Sequence, residues 1–385
     1  MVDPAASNGG AGMAAGGADG EARRALLLAA RHGLRAAGRV EPNPLVGCVI
    51  VRPRAADREG GGEALHDRVV AIGHHRVFGG AHAEADALAS ALARGVSVRG
   101  CTMYVTLEPC NSQGRNPACV DAVIEAGIAR VVYAAADDSA GKGGGHARLL
   151  AAGVACEQTT VCAEAMALSA AWRVRQREGR PYVVVKWAQT IDGKLATLGG
   201  DSRWISGEKS RARVHRVRGC VGAIVTGAGT ARVDDPLLTA RGVSVRSHAL
   251  RVVLGMDEAE LRARGLKLAD GLEVEGRAGD EGAGVPETIG VNVRRGEPLL
   301  PVLKMLGARG VHSVLVEAGP RLAGAFIEQG LADELHVYTG AMLLGGPGLS
   351  IGGAARERMS DASGWSLLSV RRSGPDVLSV WVRSR

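Results

Sequence analysis

His82-Ala83-Glu84, Pro109-Cys110 and Cys119 constrain what this chain can fold into more than any other part of it. One imidazole and two thiolates form a soft donor set suited to zinc, which in catalytic centres takes three protein ligands and leaves a fourth position to water. A fold that unites them has to bring three separate segments to one point. Glu84, two residues beyond the histidine, is not required as a ligand and stays free to carry protons.

The surrounding pattern predicts elements that alternate strand and helix, hence an α/β class. Residues 21–37 (RRALLLAARHGLRAA within them) have helical spacing, with Gly38 as a stop. LVGCVIV at 45–51 reads as a buried strand, 52–68 as a hairpin loop, and 69–73 as the next strand. A helix opens at His82 and runs to about Ala93; the strand TMYVTL (102–107) then delivers Glu108-Pro109-Cys110. Asn116-Pro117 reads as an N-cap with proline at the first helical position, which places Cys119 in a first turn, where the helix end favours thiolate. A further strand follows at 130–135.

Residues 157–180 read as a connecting helix whose charged end, RQREGRP, marks a domain boundary. Beyond it, strands are expected at 182–187, 222–226, 251–254, 313–317, 334–338 and 377–382, with helices at 207–218 and 320–329. The Gly-, Glu-, Arg- and Ala-rich stretch 255–287 has no clean period and reads as a surface insertion. The expected organisation is a disordered tail (1–20), a first domain (21–156), the connection (157–180) and a second domain (181–385).

Composition narrows the partners. The net charge of +7 accompanies only 3% aromatic residues, and no Lys/Arg run exceeds two, so a phosphorylated small molecule fits better than nucleic acid. Seven cysteines, an odd number in a chain of 385 residues, argue for reduced thiols in a cytoplasm, not a disulfide framework. The first twenty residues lack the pattern of a signal peptide, and no stretch is apolar enough to span a membrane. A homo-oligomer is expected.

Singly, each residue of the opening set has an ordinary reading, since a lone histidine is mostly hydrogen-bonded and a lone buried cysteine is a small hydrophobe. Together they form the signature of zinc-dependent nucleobase deaminases, in which Glu84 would move protons between water, a ring nitrogen and departing ammonia. Eight residues separate the cysteines, where ordinary cytidine and adenosine deaminases have two. EPNPLVGCVIV (41–51), GGAHAEADAL (79–88), YVTLEPCNSQGRNPAC (104–119) and GKGGGHARLLAAGV (141–154) resemble the deaminase half of the bifunctional riboflavin-biosynthesis deaminase/reductase family, long cysteine spacing included. The resemblance implies a cytidine-deaminase-like domain binding one zinc through His82, Cys110 and Cys119, with Asn43, His75 and Arg115 approaching the substrate. The ordinary readings are a turn for Asn43 and a strand end for His75. Where the family shows Ser-His after its first cysteine, this chain has Asn111-Ser112.

The second half lacks G-x-G-x-x-G after its first strand, so it carries no Rossmann fingerprint. Its polar clusters are Lys186 to Gly193, Asp234-Asp235-Pro236, and Glu317-Ala318-Gly319-Pro320, a strand end opening into a helix where free amides suit phosphate. Each also reads as ordinary turn chemistry. PYVVVKWAQTIDGKLA, SRWISGEKSRARVHRVR, GAGTARVDDPLLTAR and LVEAGPRLAGAFIEQGLADEL resemble the reductase domain of the same family, which is similar in fold to dihydrofolate reductase and uses NADPH. The resemblance implies cofactor contacts from Ala188, Trp204, Thr230, Asp234 and the backbone of Gly319, Pro320, Arg321, Leu322, Ala323, Gly324 and Ala325. It implies substrate contacts from Ser202, Arg218, Leu238, Arg241 and Glu317, the two arginines clamping a phosphate. Lys186 and Glu317 are both candidates for polarising the ribosyl amine. The family's E-G-G-P is E-A-G-P here, which costs about 1 kcal/mol if Ala318 needs a positive φ.

The implied chemistry is hydrolysis of the 2-amino group of 2,5-diamino-6-ribosylamino-4(3H)-pyrimidinone 5′-phosphate, then reduction of its ribosyl group to ribityl. Two rivals remain at this point. A nucleic-acid-editing deaminase would need basic grooves with stacking aromatics. A chain with one inactive domain kept as a scaffold would lack residues that both halves here retain.

Overall fold

Residues 47–51 (GCVIV) are apolar at every position because the strand they form is covered on both faces. Cys48 and Ile50 point into one core with Ala87, Met103, Val123 and Leu149, while Val49 and Val51 point into another with Leu26, Ala29, Tyr104 and Ala165. The structure, a computed structural model, describes residues 17–54, 63–112, 117–139, 143–243, 245, 248–271, 286–352 and 356–384. The chain divides into two units, Met1–Glu178 and Gly179–Arg385.

The first unit runs α1 (Gly17–Gly33), β1 (Gly47–Val51), α2 (Leu65–Arg68), β2 (Val69–His74), α3 (Ala83–Ala93), β3 (Thr102–Leu107), α4 (Cys119–Glu125), β4 (Arg130–Ala135), α5 (Gly145–Ala151), β5 (Ala155–Gln158), α6 (Ala163–Leu168) and α7 (Ala170–Glu178). Among the described residues its sheet has the order β2-β1-β3-β4-β5, with β1 antiparallel to both neighbours and β3, β4 and β5 parallel. Parallel strands end on the same side, so the segments leaving β3 and β4 meet there. Gly47 sits under α1, and a Cβ on it would fall 1.9 Å from the Ala29 carbonyl oxygen. Gly47→Ala is therefore expected to cost this unit about 2 kcal/mol by overpacking, measured as a lower urea midpoint at unchanged slope.

Several expectations shift. The first helix begins at Gly17, inside the expected tail; residues 1–16 lie outside the described residues. Helix α2 occupies the end of the expected hairpin loop. Helix α4 starts at Cys119 with Ala118 as its cap, so Pro117 precedes the helix, and Asn116 lies outside the described residues. The connecting segment holds two short helices, α6 and α7.

The second unit runs β6 (Tyr182–Gln189), β7 (Ala196–Thr197), α8 (Glu208–Arg218), β8 (Ala223–Gly227), α9 (Ala228–Asp234), β9 (Leu250–Leu254), α10 (Glu258–Ala263), β10 (Thr288–Val291), α11 (Leu300–Ala308), β11 (Ser313–Val316), α12 (Pro320–Glu328), β12 (Glu334–Thr339), β13 (Gly348–Leu349), β14 (Trp365–Ser373) and β15 (Asp376–Arg383). Among the described residues its main sheet has the order β10-β9-β8-β11-β6-β12-β15-β14, parallel from β10 to β12 and closed by an antiparallel hairpin. Val183 and Val185 of β6 share a core with Val225, Val252, Val314, Leu335, Leu303 and Phe326. At the unit's first residues, Arg180 donates two bonds to Asp333 (2.6 and 2.9 Å), and the same carboxylate accepts the N–H of Val183.

The stretch read as an insertion is partly built into this unit. Asp257 caps α10 by accepting the Glu260 N–H at 2.8 Å, and Leu261 and Leu268 are fully buried. Residues 272–285 lie outside the described residues. Among the described residues, no helix is long and apolar enough to cross a membrane.

Candidate functional site

The donors converge. Ligand atoms of His82, Cys110 and Cys119 all lie within 4.8 Å of one another. His82 is the residue before α3, Cys110 follows the end of β3, and Cys119 is the first residue of α4. His82 Nδ1 is 3.2 Å from Cys119 Sγ and 3.5 Å from Cys110 Sγ, and the Cys119 N–H points at Cys110 Sγ from 3.4 Å. One nitrogen and two sulfurs at this spacing fit zinc and leave a position for a fourth ligand.

Glu84 sits in the first turn of α3, 3% exposed. Burial, reinforced by the negative charge of Cys110, raises its carboxyl to about 7. His75 is buried and belongs to a short chain: its Nδ1–H donates to Ala81 O at 2.8 Å, and Asn43 Nδ2–H donates to its Nε2 at 3.1 Å. Burial lowers its pKa, so the ring is neutral, and it meets the His82 ring edge-on at 5.6 Å. Asn43 and His75 are thus brought beside the donor set. Arg115 lies outside the described residues.

In the second unit, Glu317 at the end of β11 gathers two of the cations singled out from the sequence. Arg218 bonds it through Nε (2.5 Å) and Nη2 (3.0 Å), and Lys186 Nζ stands 3.6 Å away. Burial works against its charge, but the Lys186 ammonium and Arg218 guanidinium outweigh that and hold its pKa at about 2. Ala188 lies two residues along β6 from Lys186, on the same face.

Thr230 Oγ1 accepts the Gly319 N–H at 3.1 Å, and the Ala323 N–H is taken by Gly319 O. The amides of Arg321 and Leu322, in the first turn of α12, have no intrahelical acceptor. Ala323 and Gly324 are buried, and a Cβ on Gly324 would strike the Gly352 carbonyl, so these two pack the helix down. A Cβ on Gly319 would meet only Thr230 Oγ1, at 3.7 Å, and one on Gly229 would meet nothing within 4 Å. Two glycines unused by packing beside open helix amides fit the phosphates of a dinucleotide.

Asp234 pairs with Arg203 at 2.6 Å, and exposed Trp204 lies under Arg211 at 4.6 Å. Ser202 is exposed. Leu238 is buried with φ +48°, and the N–H of exposed Arg241 lies 3.2 Å from His215 Nδ1. Ala318 has no positive φ, so the E-A-G-P sequence carries no backbone cost. Glu108, passed over in the sequence as the residue before Pro109-Cys110, is buried and holds two backbone amides, those of Asp137 and His146. A glutamate ending a strand just before a ligand was the available signal.

Fold and donor set define a zinc deaminase unit joined on one chain to an α/β unit with a phosphate-type cradle. Residues 21–135 match the cytidine and deoxycytidylate deaminase zinc-binding region, and residues 181–379 match the RibD C-terminal domain. The chain is 37% identical over 359 residues to riboflavin biosynthesis protein RibD of Mycobacterium tuberculosis, covering 92% of this chain and 95% of that one. It is 35% identical over 379 residues to RibD of Escherichia coli, covering 92% and 96%. A crystal structure from Thermotoga maritima, described as a diaminohydroxyphosphoribosylaminopyrimidine deaminase/5-amino-6-(5-phosphoribosylamino)uracil reductase, superposes with TM-score 0.72 at 28% identity, covering 95% and 100%. The chain belongs to the RibD family: it is a bifunctional riboflavin-biosynthesis enzyme with a zinc-dependent, cytidine-deaminase-like domain and an NADPH-dependent, dihydrofolate-reductase-like domain.

Proposed function

We propose that the first unit hydrolyses the 2-amino group of 2,5-diamino-6-ribosylamino-4(3H)-pyrimidinone 5′-phosphate and that the second reduces the ribosyl group of the product to ribityl. The observation that carries the reading is the convergence of His82, Cys110 and Cys119 with a buried, unligated Glu84 two residues from the histidine. Zinc held by those three supplies Lewis acidity that brings water within reach of deprotonation near neutral pH. Glu84 carries the first proton of that water to the ring nitrogen and then the second, taken from the hydroxyl of the adduct, to the amino group as the C–N bond breaks, so water enters and ammonia leaves. Asn43 and His75 orient the pyrimidine, their mutual hydrogen bond fixing the neutral imidazole. Arg115, in the segment between the cysteines, is assigned to substrate by the family resemblance alone.

NADPH supplies hydride in the second unit. The amides of Arg321 and Leu322, with Thr230, Asp234, Trp204 and Ala188, hold it. Glu317 fixes Arg218 and the Lys186 ammonium in place; Lys186 polarises the ribosyl amine, and Arg218 with Arg241 takes the phosphate. Ser202 and Leu238 complete the substrate side. Two domains, 21–156 and 181–385, joined by 157–180, suit two separate chemistries. A cytoplasmic setting suits the cysteines, none of which forms a disulfide among the described residues, and sparse aromatics argue against a nucleic-acid partner.

Following ammonia release and NADPH oxidation separately tests both halves. Chelating zinc is expected to end ammonia release and to leave NADPH oxidation on the deaminated intermediate unchanged. A chelated enzyme that still releases ammonia would sink the deaminase assignment; a loaded enzyme that oxidises no NADPH would sink the reductase one.

A further inference from the structure

Helix α5 lies on the segment that delivers Cys110. Glu108 accepts the N–H of His146 at the helix start (2.9 Å) and that of Asp137 (3.2 Å). A Cβ on Gly145 would fall 2.0 Å from the Pro109 carbonyl oxygen, and the Tyr133 hydroxyl lies 3.1 Å from His146 Nδ1. From this anchored helix Arg148 reaches both sides of the segment between the cysteines. Its Nη1 donates to Asn111 Oδ1 at 3.1 Å, and its Nη2 donates to Asp121 Oδ1. Asn111 immediately follows Cys110, and Asp121 stands two residues beyond Cys119.

We propose that Arg148 is a positioning residue for the deaminase: its guanidinium ties Asn111, the residue after Cys110, to Asp121 on the helix of Cys119, and so fixes where Asn111 stands beside the first thiolate donor when the pyrimidine binds. The metal donors do not depend on it. Cys119 is held in α4, His82 precedes α3, and the Cys119 N–H faces the Cys110 sulfur directly. Stability does not explain the arrangement either. Arg148 is 43% and Asp121 33% exposed, and an isolated pair at that exposure contributes little. What the planar fork adds is two bonds at a fixed angle, which a lysine cannot make. Asn111, the departure from the family's usual serine, has its side-chain oxygen engaged by Arg148.

The inference rests on the deaminase reading of this site. Zinc-loaded full-length parent, R148M, R148K and N111A are assayed for ammonia release from the diaminopyrimidine ribosyl phosphate, for zinc content, and for NADPH oxidation on the deaminated intermediate. R148M is expected to raise the deaminase KM about tenfold, with kcat within about twofold, zinc unchanged and NADPH oxidation unchanged. R148K is expected to recover only part of the loss. N111A is expected to show part of it, and R148M/N111A to add nothing to R148M alone, as for residues in one network. Deaminase constants in R148M equal to the parent's would overturn the proposal. So would a loss that tracks missing zinc, which would make Arg148 a support for the metal. A zinc-loaded parent that releases no ammonia removes instead the deaminase reading on which the proposal stands.

Discussion

Glu84→Gln is expected to lower ammonia release by about a thousandfold, within the range for loss of a general acid/base, while zinc content and NADPH oxidation stay at parent values. The side chain is 3% exposed and lies in the first turn of α3, so an isosteric amide keeps the packing. It is not among the three donors, so the metal has no reason to leave. What disappears is a group that can both accept and return a proton. The measurement is single-turnover ammonia release with metal analysis on the same sample. Release within tenfold of the parent would mean that another group carries the proton.

Glu317→Gln is expected to cost the second unit stability and most of its activity together. In the parent, one carboxylate compensates Arg218 through two bonds and Lys186 through one contact. Removing its charge leaves two cations facing each other at a site where the carboxylate is 10% exposed, at a cost of about 3 kcal/mol or more. The pH dependence has a definite sign. A carboxyl held at about 2 when folded, against about 4.3 when unfolded, contributes about 3 kcal/mol. That contribution is complete above roughly pH 5 and is lost as pH falls towards 2. Urea unfolding of the second unit should therefore weaken with acid in the parent and change less in the variant. NADPH oxidation should fall at least about tenfold, because the cations lose the anchor that fixes them. Parallel acid curves for the two proteins would contradict this account.

The metal donors were legible because their chemistry is fixed by residue type and because strand ends and helix starts, which place them, leave strong local signals. β3 and β4 run over the residues expected, since each is a short branched run bounded by turn residues. The start of α4 was not legible: Asn116-Pro117 has the composition of a cap, whereas the helix begins two residues beyond Pro117, at the ligand. Helix α10 was missed because its charged surface hides the period, although Asp257 and Glu260 spell a cap three residues apart. The Arg148 and Glu108 contacts were out of reach, since both join segments that only the folded sheet brings together. Ala318 raised a concern that only backbone angles could remove.

The Arg180–Asp333 pair, whose partners are 153 residues apart in sequence, bears on how the chain emerges from the ribosome. Strand β6 lies between β11 and β12, both made more than a hundred residues later. At about 5–20 residues per second of synthesis, the apolar run of β6 waits on the order of ten seconds for either neighbour, with both its edges unpaired. The first unit has its strands complete by Gln158, so it can fold while that wait is under way. The second unit is the part of this protein most exposed to aggregation at birth, and the part for which slower synthesis or missing chaperones would cost the most yield.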